Sequence, residues 1–134
     1  MDTMTAGLRQ LAERHATMSQ PAPRAGDGDV WASLMPRLPL SLRPYAEARR
    51  LLGIERYGTP LQAHNGRDGL TDALQEALDL AVYMQQAIIE QPYPGRDSDS
   101  LISIRDCAIA IAGRMTVLIE RRAGTSIELQ EDAR

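Results

Sequence analysis

"DGLTDALQEALDLAVYMQQAIIE", residues 68 to 90, decides the fold. Leu70, Leu74, Ala77, Leu78, Ala81, Met84 and Ile88 recur at spacings of three and four, the period of an amphipathic helix, and no proline or internal glycine interrupts the run. At about 100° per residue, Asp68, Asp72, Glu76 and Asp79 fall in one narrow sector that Gln86 and Glu90 continue. One face is apolar and the other acidic.

Working outward, "LRPYAEARRLLGIERY" (42–57) reads as a preceding helix, with Ser41 as N-cap, Pro44 tolerated in the first turn, and Gly58 and Pro60 as the stop. Downstream, Asp97 or Asp99 caps a long helix whose expected apolar stripe is Leu101, Ile104, Ala108, Ile111, Met115 and Leu118, with Gly124 ending it. "MTAGLRQLAERHATM" (4–18) fits a short amphipathic helix carrying Leu8, Leu11 and His15 on one side. "SQPAPRAGDGD" (19–29), rich in proline, glycine and acid, reads as a flexible connector. "VWASLMPRLPL" (30–40) is broken by Pro36 and Pro39, so an extended or turned path is expected, with Trp31, Leu34 and Met35 anchored in the core. The expectation is a single all-α domain over 1–134, a bundle of about four helices. Its parts are an N-terminal helix in 1–18, the connector, a helical core over 30–122 and a frayed or partner-bound tail over 123–134.

Composition narrows the function classes. The net charge is −3, without the basic surface that holds nucleic acid by counterion release. All fifteen basic residues are arginine, so every cation is a planar fork suited to carboxylate or phosphate. The lone Cys107, in the apolar run "CAIAIAG", is expected to be a buried, inert thiol. No leader or membrane-spanning run stands out, and a cytoplasmic protein is expected. Two histidines and one cysteine do not assemble a zinc site or a nucleophilic triad, and a chain without lysine carries no P-loop.

The acidic face has two readings. It is a solvated surface paired with arginines, or it is a site for a hard divalent cation, which would relieve like-charge repulsion of about 0.2–0.5 kcal/mol per i,i+4 pair. The stretch "RRLLGIERYGTPLQAHNGRDGLTDALQEALDLAVYMQQAI" (49–89) bears on that choice. It resembles the MazG-like all-α nucleoside triphosphate pyrophosphohydrolases, especially the small forms common among bacteriophages. In that family an E-x-x-E helix and an E-x-x-D helix together hold magnesium on a triphosphate, which water cleaves between the α and β phosphates. Glu76 and Asp79, in "EALD", match the second motif; the first motif is absent, and the preceding helix offers Glu47 and Glu55 instead. These lie eight residues apart, about 80° round one helix, so both are able to share a side.

The resemblance implies metal ligation by Glu76, Asp79, Glu55 and Glu47, with Mg²⁺ as cofactor and Mn²⁺ as a substitute. Catalysis would rest on Glu76, Asp79, Glu55 and Asp72, the last as an outer ligand or a water-orienting group. Asp68 reads equally well as a cap of its own helix. In "RYGTPLQAHNGRD" (56–68), Arg56 and Arg67 are candidate phosphate forks, and Asn65 and His64 candidate hydrogen-bonding groups. Each also has a structural reading: Asn-Gly as a turn, His64 as a surface side chain, and Arg67 as a partner of Asp68 or Glu55. The partners implied are a nucleoside triphosphate, with purine deoxynucleotides such as dGTP favoured by the phage forms, and a second copy of the chain in a homodimer or homotetramer. The alternative is a helical nucleotide-binding or assembly protein that has lost catalysis.

Overall fold

The structure is a computed structural model that describes residues 6–17, 19–91 and 95–132. Its helices are α1 (Ala6–Thr17), α2 (Val30–Leu34), α3 (Arg43–Tyr57), α4 (Gly69–Ile89) and α5 (Ser98–Asp132), with a 3-10 turn at Met35–Arg37. The described residues contain no strand ladder, only an isolated bridge between Asp27 and Ala63, so the chain is all-α. Its contacts divide into two compact units. One comprises residues 1–20 with 68–134, the other residues 21–67.

In the first unit α4 and α5 pack along each other as a helical hairpin. Asp68 starts α4 as its sequence suggests, with extended backbone and a carboxylate that accepts from the Leu70 N–H at 3.0 Å. The core is Leu74 and Ala77 of α4 against Ala112 and Ile119 of α5, with Leu11, Leu70 and Met115 packed around it. Ala108 and Met115 of the expected α5 stripe lie on the core side, and the rest of the stripe is corrected. Ala108 and Ala112 are buried, while Ile104, Ile111 and Leu118 are each exposed by about half. Small side chains let two helices approach closely, so the alanine edge faces α4 and the bulkier edge is left outside. Cys107 is exposed, not buried, on this rotated helix. α5 also passes through Gly124 and continues to Asp132, so residues 123–132 of the tail expected to be frayed or partner-bound are helical.

α1 docks on this hairpin through a polar network as well as Leu11. Thr71, almost wholly buried, donates its hydroxyl hydrogen to Asp68 Oδ2 at 2.9 Å and meets His15 Nδ1 at 2.7 Å. A hydroxyl has one hydrogen, so His15 Nδ1–H is the donor in the second bond. Gln75 donates to the His15 carbonyl at 3.1 Å, and Gln20 bonds both the Asp68 backbone and Asp72 Oδ1. Burial pushes the Asp68 carboxyl up, but the Thr71 hydroxyl, the Leu70 and Thr71 N–H groups and the nearby His15 together hold it below the usual carboxylate range.

The second unit is built on α3. Pro44 sits in its first turn and Gly58 closes it in the left-handed conformation, donating to the Ile54 carbonyl at 2.7 Å. The N-cap is Leu42, without a side-chain bond, so Ser41 does not play the expected part. Upstream, of the extended or turned path expected, the turned one is found: Val30–Leu34 is a short helix that Asp29 Oδ1 caps through the Ala32 N–H, and Pro36 is taken up by the 3-10 turn. Trp31 and Met35 are half-buried, whereas Leu34 is exposed. Arg50 reaches Asp29 Oδ2 at 2.8 Å and Glu47 Oε1 at 3.1 Å, fastening α3 to the start of α2. The Arg50 bond, then the Ala32 N–H, depresses the Asp29 carboxyl.

Candidate functional site

The segment expected to be a flexible connector is instead pinned to the loop that follows α3. Arg24 N–H bonds the Asn65 carbonyl at 2.8 Å, Asp27 exchanges two backbone bonds with Ala63 at 2.8 and 3.0 Å, and Val30 N–H bonds the Leu61 carbonyl at 2.9 Å. The pairing needs glycine at 26, because a Cβ there would lie 2.1 Å from the Ala63 carbonyl oxygen. Ordering is thus a consequence of satisfied backbone groups, which composition alone does not reveal.

Between this paired loop and α3 lies a cavity of about 750 Å³ inside the 21–67 unit. Arg49 and Arg56, seven residues apart on α3, share a face with Leu52 and Gly53 between them, and all four line it. Arg24 and Arg67 enter from the paired segments, and Trp31, Tyr57 and Asn65 complete the wall. No carboxylate lines the cavity among the described residues. Arg24, Arg49 and Arg56 have no ion-pair partner among those residues either. Arg67 is positioned by donation from Nη1 to the Pro21 carbonyl at 2.9 Å.

Asn65 is only 7% exposed. Its Oδ1 accepts the Arg67 backbone N–H at 3.1 Å, closing an Asx turn, while its amide NH₂ has no acceptor among the described residues and is not sealed from solvent. Positive φ occurs at His64, at 56°, and at Gly66 of the Asn-Gly pair, at 86°. His64 stands outside the cavity, with Nδ1 3.0 Å from Asp27 Oδ2 and both side chains largely exposed.

The chain matches no known protein family, curated protein or solved structure. Its chemistry is therefore read from its own residues. Arg56, Asn65 and Arg67, singled out in the sequence as substrate contacts, come together in the cavity; His64 does not join them. Glu76 and Asp79 are exposed neighbours on α4, one turn apart. Asp72 is half-buried and accepts from Gln20. In the other unit, Glu55 is exposed on α3 and Glu47 is engaged by Arg50. Among the described residues no three acidic, histidine or cysteine side chains gather in a group able to hold a metal.

Arg24, Trp31, Arg49 and Tyr57, which also line the cavity, were not singled out in the sequence as site residues. A signal existed for one of them: Arg49 precedes Arg56 by seven, so both necessarily share a helix face. For Arg24 and Trp31, separated from α3 by a stretch broken by Pro36 and Pro39, there was none.

Proposed function

We propose that the protein is a Mg²⁺-dependent nucleoside triphosphate pyrophosphohydrolase of MazG-like fold, cleaving between the α and β phosphates to release a nucleoside monophosphate and pyrophosphate. The observation that carries this reading is the arginine-lined cavity. Arg24, Arg49 and Arg56, without carboxylate partners among the described residues, repel one another, and a multiply charged phosphate chain relieves that repulsion through bidentate bonds. Trp31 and Tyr57 offer aromatic surface to a base, and Asn65 offers a donor to it or to a phosphate oxygen.

Magnesium usually keeps several waters and takes only one or two protein carboxylates, so the donor set of Glu76 and Asp79 suits it without a larger protein cage. When bound, the ion would supply charge neutralisation to phosphate oxygens. The residues' own parts are to bind and orient: the arginines grip the phosphates, and Asp72 and Glu55 are the candidate groups for positioning water.

Pyrophosphate release, measured across the common NTPs and dNTPs with Mg²⁺ or Mn²⁺, tests the reading; turnover is expected on at least one, with dGTP the first choice. No release by folded protein from any of them refutes it. A second reading is a helical nucleotide-binding protein without turnover, in which the missing E-x-x-E motif of α3 reflects lost catalysis. That reading requires nucleotide binding to persist where hydrolysis fails.

Assembly belongs to the same proposal. Val82, Tyr83 and Ile89 on α4 and Ile109 and Val117 on α5 are all more than half exposed, a large apolar surface for one chain to leave uncovered. A second copy in a dimer or dimer pair would cover it. No helix among the described residues is long and apolar enough to cross a membrane. A cytoplasmic setting is part of the proposal.

A further inference from the structure

We propose that the cavity of the 21–67 unit holds the polyphosphate chain of a nucleotide as the free anion, without a metal ion, and that added Mg²⁺ weakens this binding. The inference rests on the cavity being the nucleotide's seat, and it separates binding from hydrolysis. Three guanidinium groups, from Arg24, Arg49 and Arg56, supply the counter-charge that a metal supplies elsewhere. The lining carries no carboxylate among the described residues, so a cation entering with the phosphates would meet arginine instead of acidic ligands.

The amide oxygens point the same way. Asn65 Oδ1 accepts from the Arg67 N–H and Gln62 Oε1 from the Gly26 N–H at 3.2 Å, so one of the two lone pairs of each oxygen is engaged in holding the loop. Asn65 also offers its NH₂, the donor half of the amide, which selects an acceptor. The cavity is therefore lined to receive oxygen lone pairs. A divalent ion on the triphosphate both occupies such oxygens and cancels part of the charge that the arginines attract, which makes the metal complex the poorer ligand.

Trp31 gives the cavity an aromatic wall and, as the chain's only tryptophan, a reporter within the site. The ligand's phosphate chemistry is shared by inorganic triphosphate, and stacking on Trp31 is what distinguishes the nucleotide.

The experiment titrates the full-length protein with each dNTP and with inorganic triphosphate, in EDTA and then in excess Mg²⁺, reading Trp31 fluorescence and checking affinity by calorimetry. Saturable binding of at least one dNTP in EDTA is expected, several-fold tighter than inorganic triphosphate and several-fold weaker once Mg²⁺ is added. Arg49→Ala and Arg56→Ala, at exposed positions of α3, should each weaken binding by about tenfold or more, the loss expected for a charge-assisted hydrogen bond. Binding that requires Mg²⁺ overturns the inference, as do arginine variants that bind like the wild type with unchanged circular dichroism. Equal affinity for inorganic triphosphate removes the base from the site and overturns the nucleotide assignment. Pyrophosphate release is followed on the same samples. Turnover in Mg²⁺ without binding in EDTA defeats the inference and leaves the hydrolase standing, whereas binding in EDTA without turnover does the reverse.

Discussion

Replacing Thr71 by valine tests how α1 is held. The side chain is 1% exposed and of nearly the same shape as valine, so packing is preserved and only the hydroxyl is lost. That hydroxyl makes two bonds, one given to Asp68 Oδ2 and one received from His15 Nδ1–H. Asp68 is exposed and regains water, while His15 is half-buried and loses its only described ring partner. One bond to a charged group and one from an imidazole N–H, partly offset by hydration, give a loss of about 1–2 kcal/mol. For a chain of this size that corresponds to a fall in Tm of roughly 3–8 °C.

The assay is thermal unfolding by circular dichroism on Thr71→Val, His15→Ala and the double variant. Coupling of about 0.5 kcal/mol or more is expected between the two sites. Acid titration adds a second readout. The native Asp68 carboxyl lies below its unfolded value, so its contribution is present above the unfolded pKa and is lost as pH falls through the native one. Thr71→Val raises the native value toward the unfolded one, and the difference between variant and wild type should shrink in acid. A Tm within about 1 °C of wild type, or strict additivity with His15→Ala, would show that the network does not hold α1.

Gly26→Ala should unseat the pairing of residues 24–27 with 63–65, since its Cβ collides with a backbone oxygen that has no free rotation; a loss of about 2 kcal/mol or more in unfolding titrations is expected, with weakened nucleotide binding. Glu76→Ala and Asp79→Ala should abolish Mg²⁺-dependent pyrophosphate release with helicity intact, and relief of like charge at Asp72 and Glu76 should leave Glu76→Ala level with or a few tenths of a kcal/mol above wild type. Loss of helix signal in either variant would assign both residues to structure. Light scattering at micromolar concentration should give at least twice the 14.8 kDa chain mass; a monomer of wild-type protein removes the second-copy proposal, and Ile109→Asp is expected to produce one.

Helices α1, α3 and α4 were legible because their signals are local. The period of Leu70, Leu74 and Ala77, the cap at Asp68, the proline in the first turn of α3 and the glycine at its end each act within a turn or two of themselves. The same locality limited the reading of α5. Its sequence offers two apolar edges, one through Ile104, Ile111 and Leu118 and one through Ala108, Ala112 and Ile119, and periodicity weighs bulk without knowing how near the neighbour comes. Close packing against Ala77 of α4 chose the second edge and left Cys107 outside.

The candidate site divides in the same way. Arg56, Asn65 and Arg67 were visible as chemistry within one short stretch, and so was the acidic face of α4. That Arg24 and Trp31 stand beside them was decided only in three dimensions, by backbone hydrogen bonds between residues 24–30 and 61–65 and by the absence of a side chain at Gly26. Composition marked that first segment as a linker because it has almost nothing to bury. Its order comes from main-chain donors and acceptors, which every residue type except proline carries alike and which a reading of side chains therefore does not see.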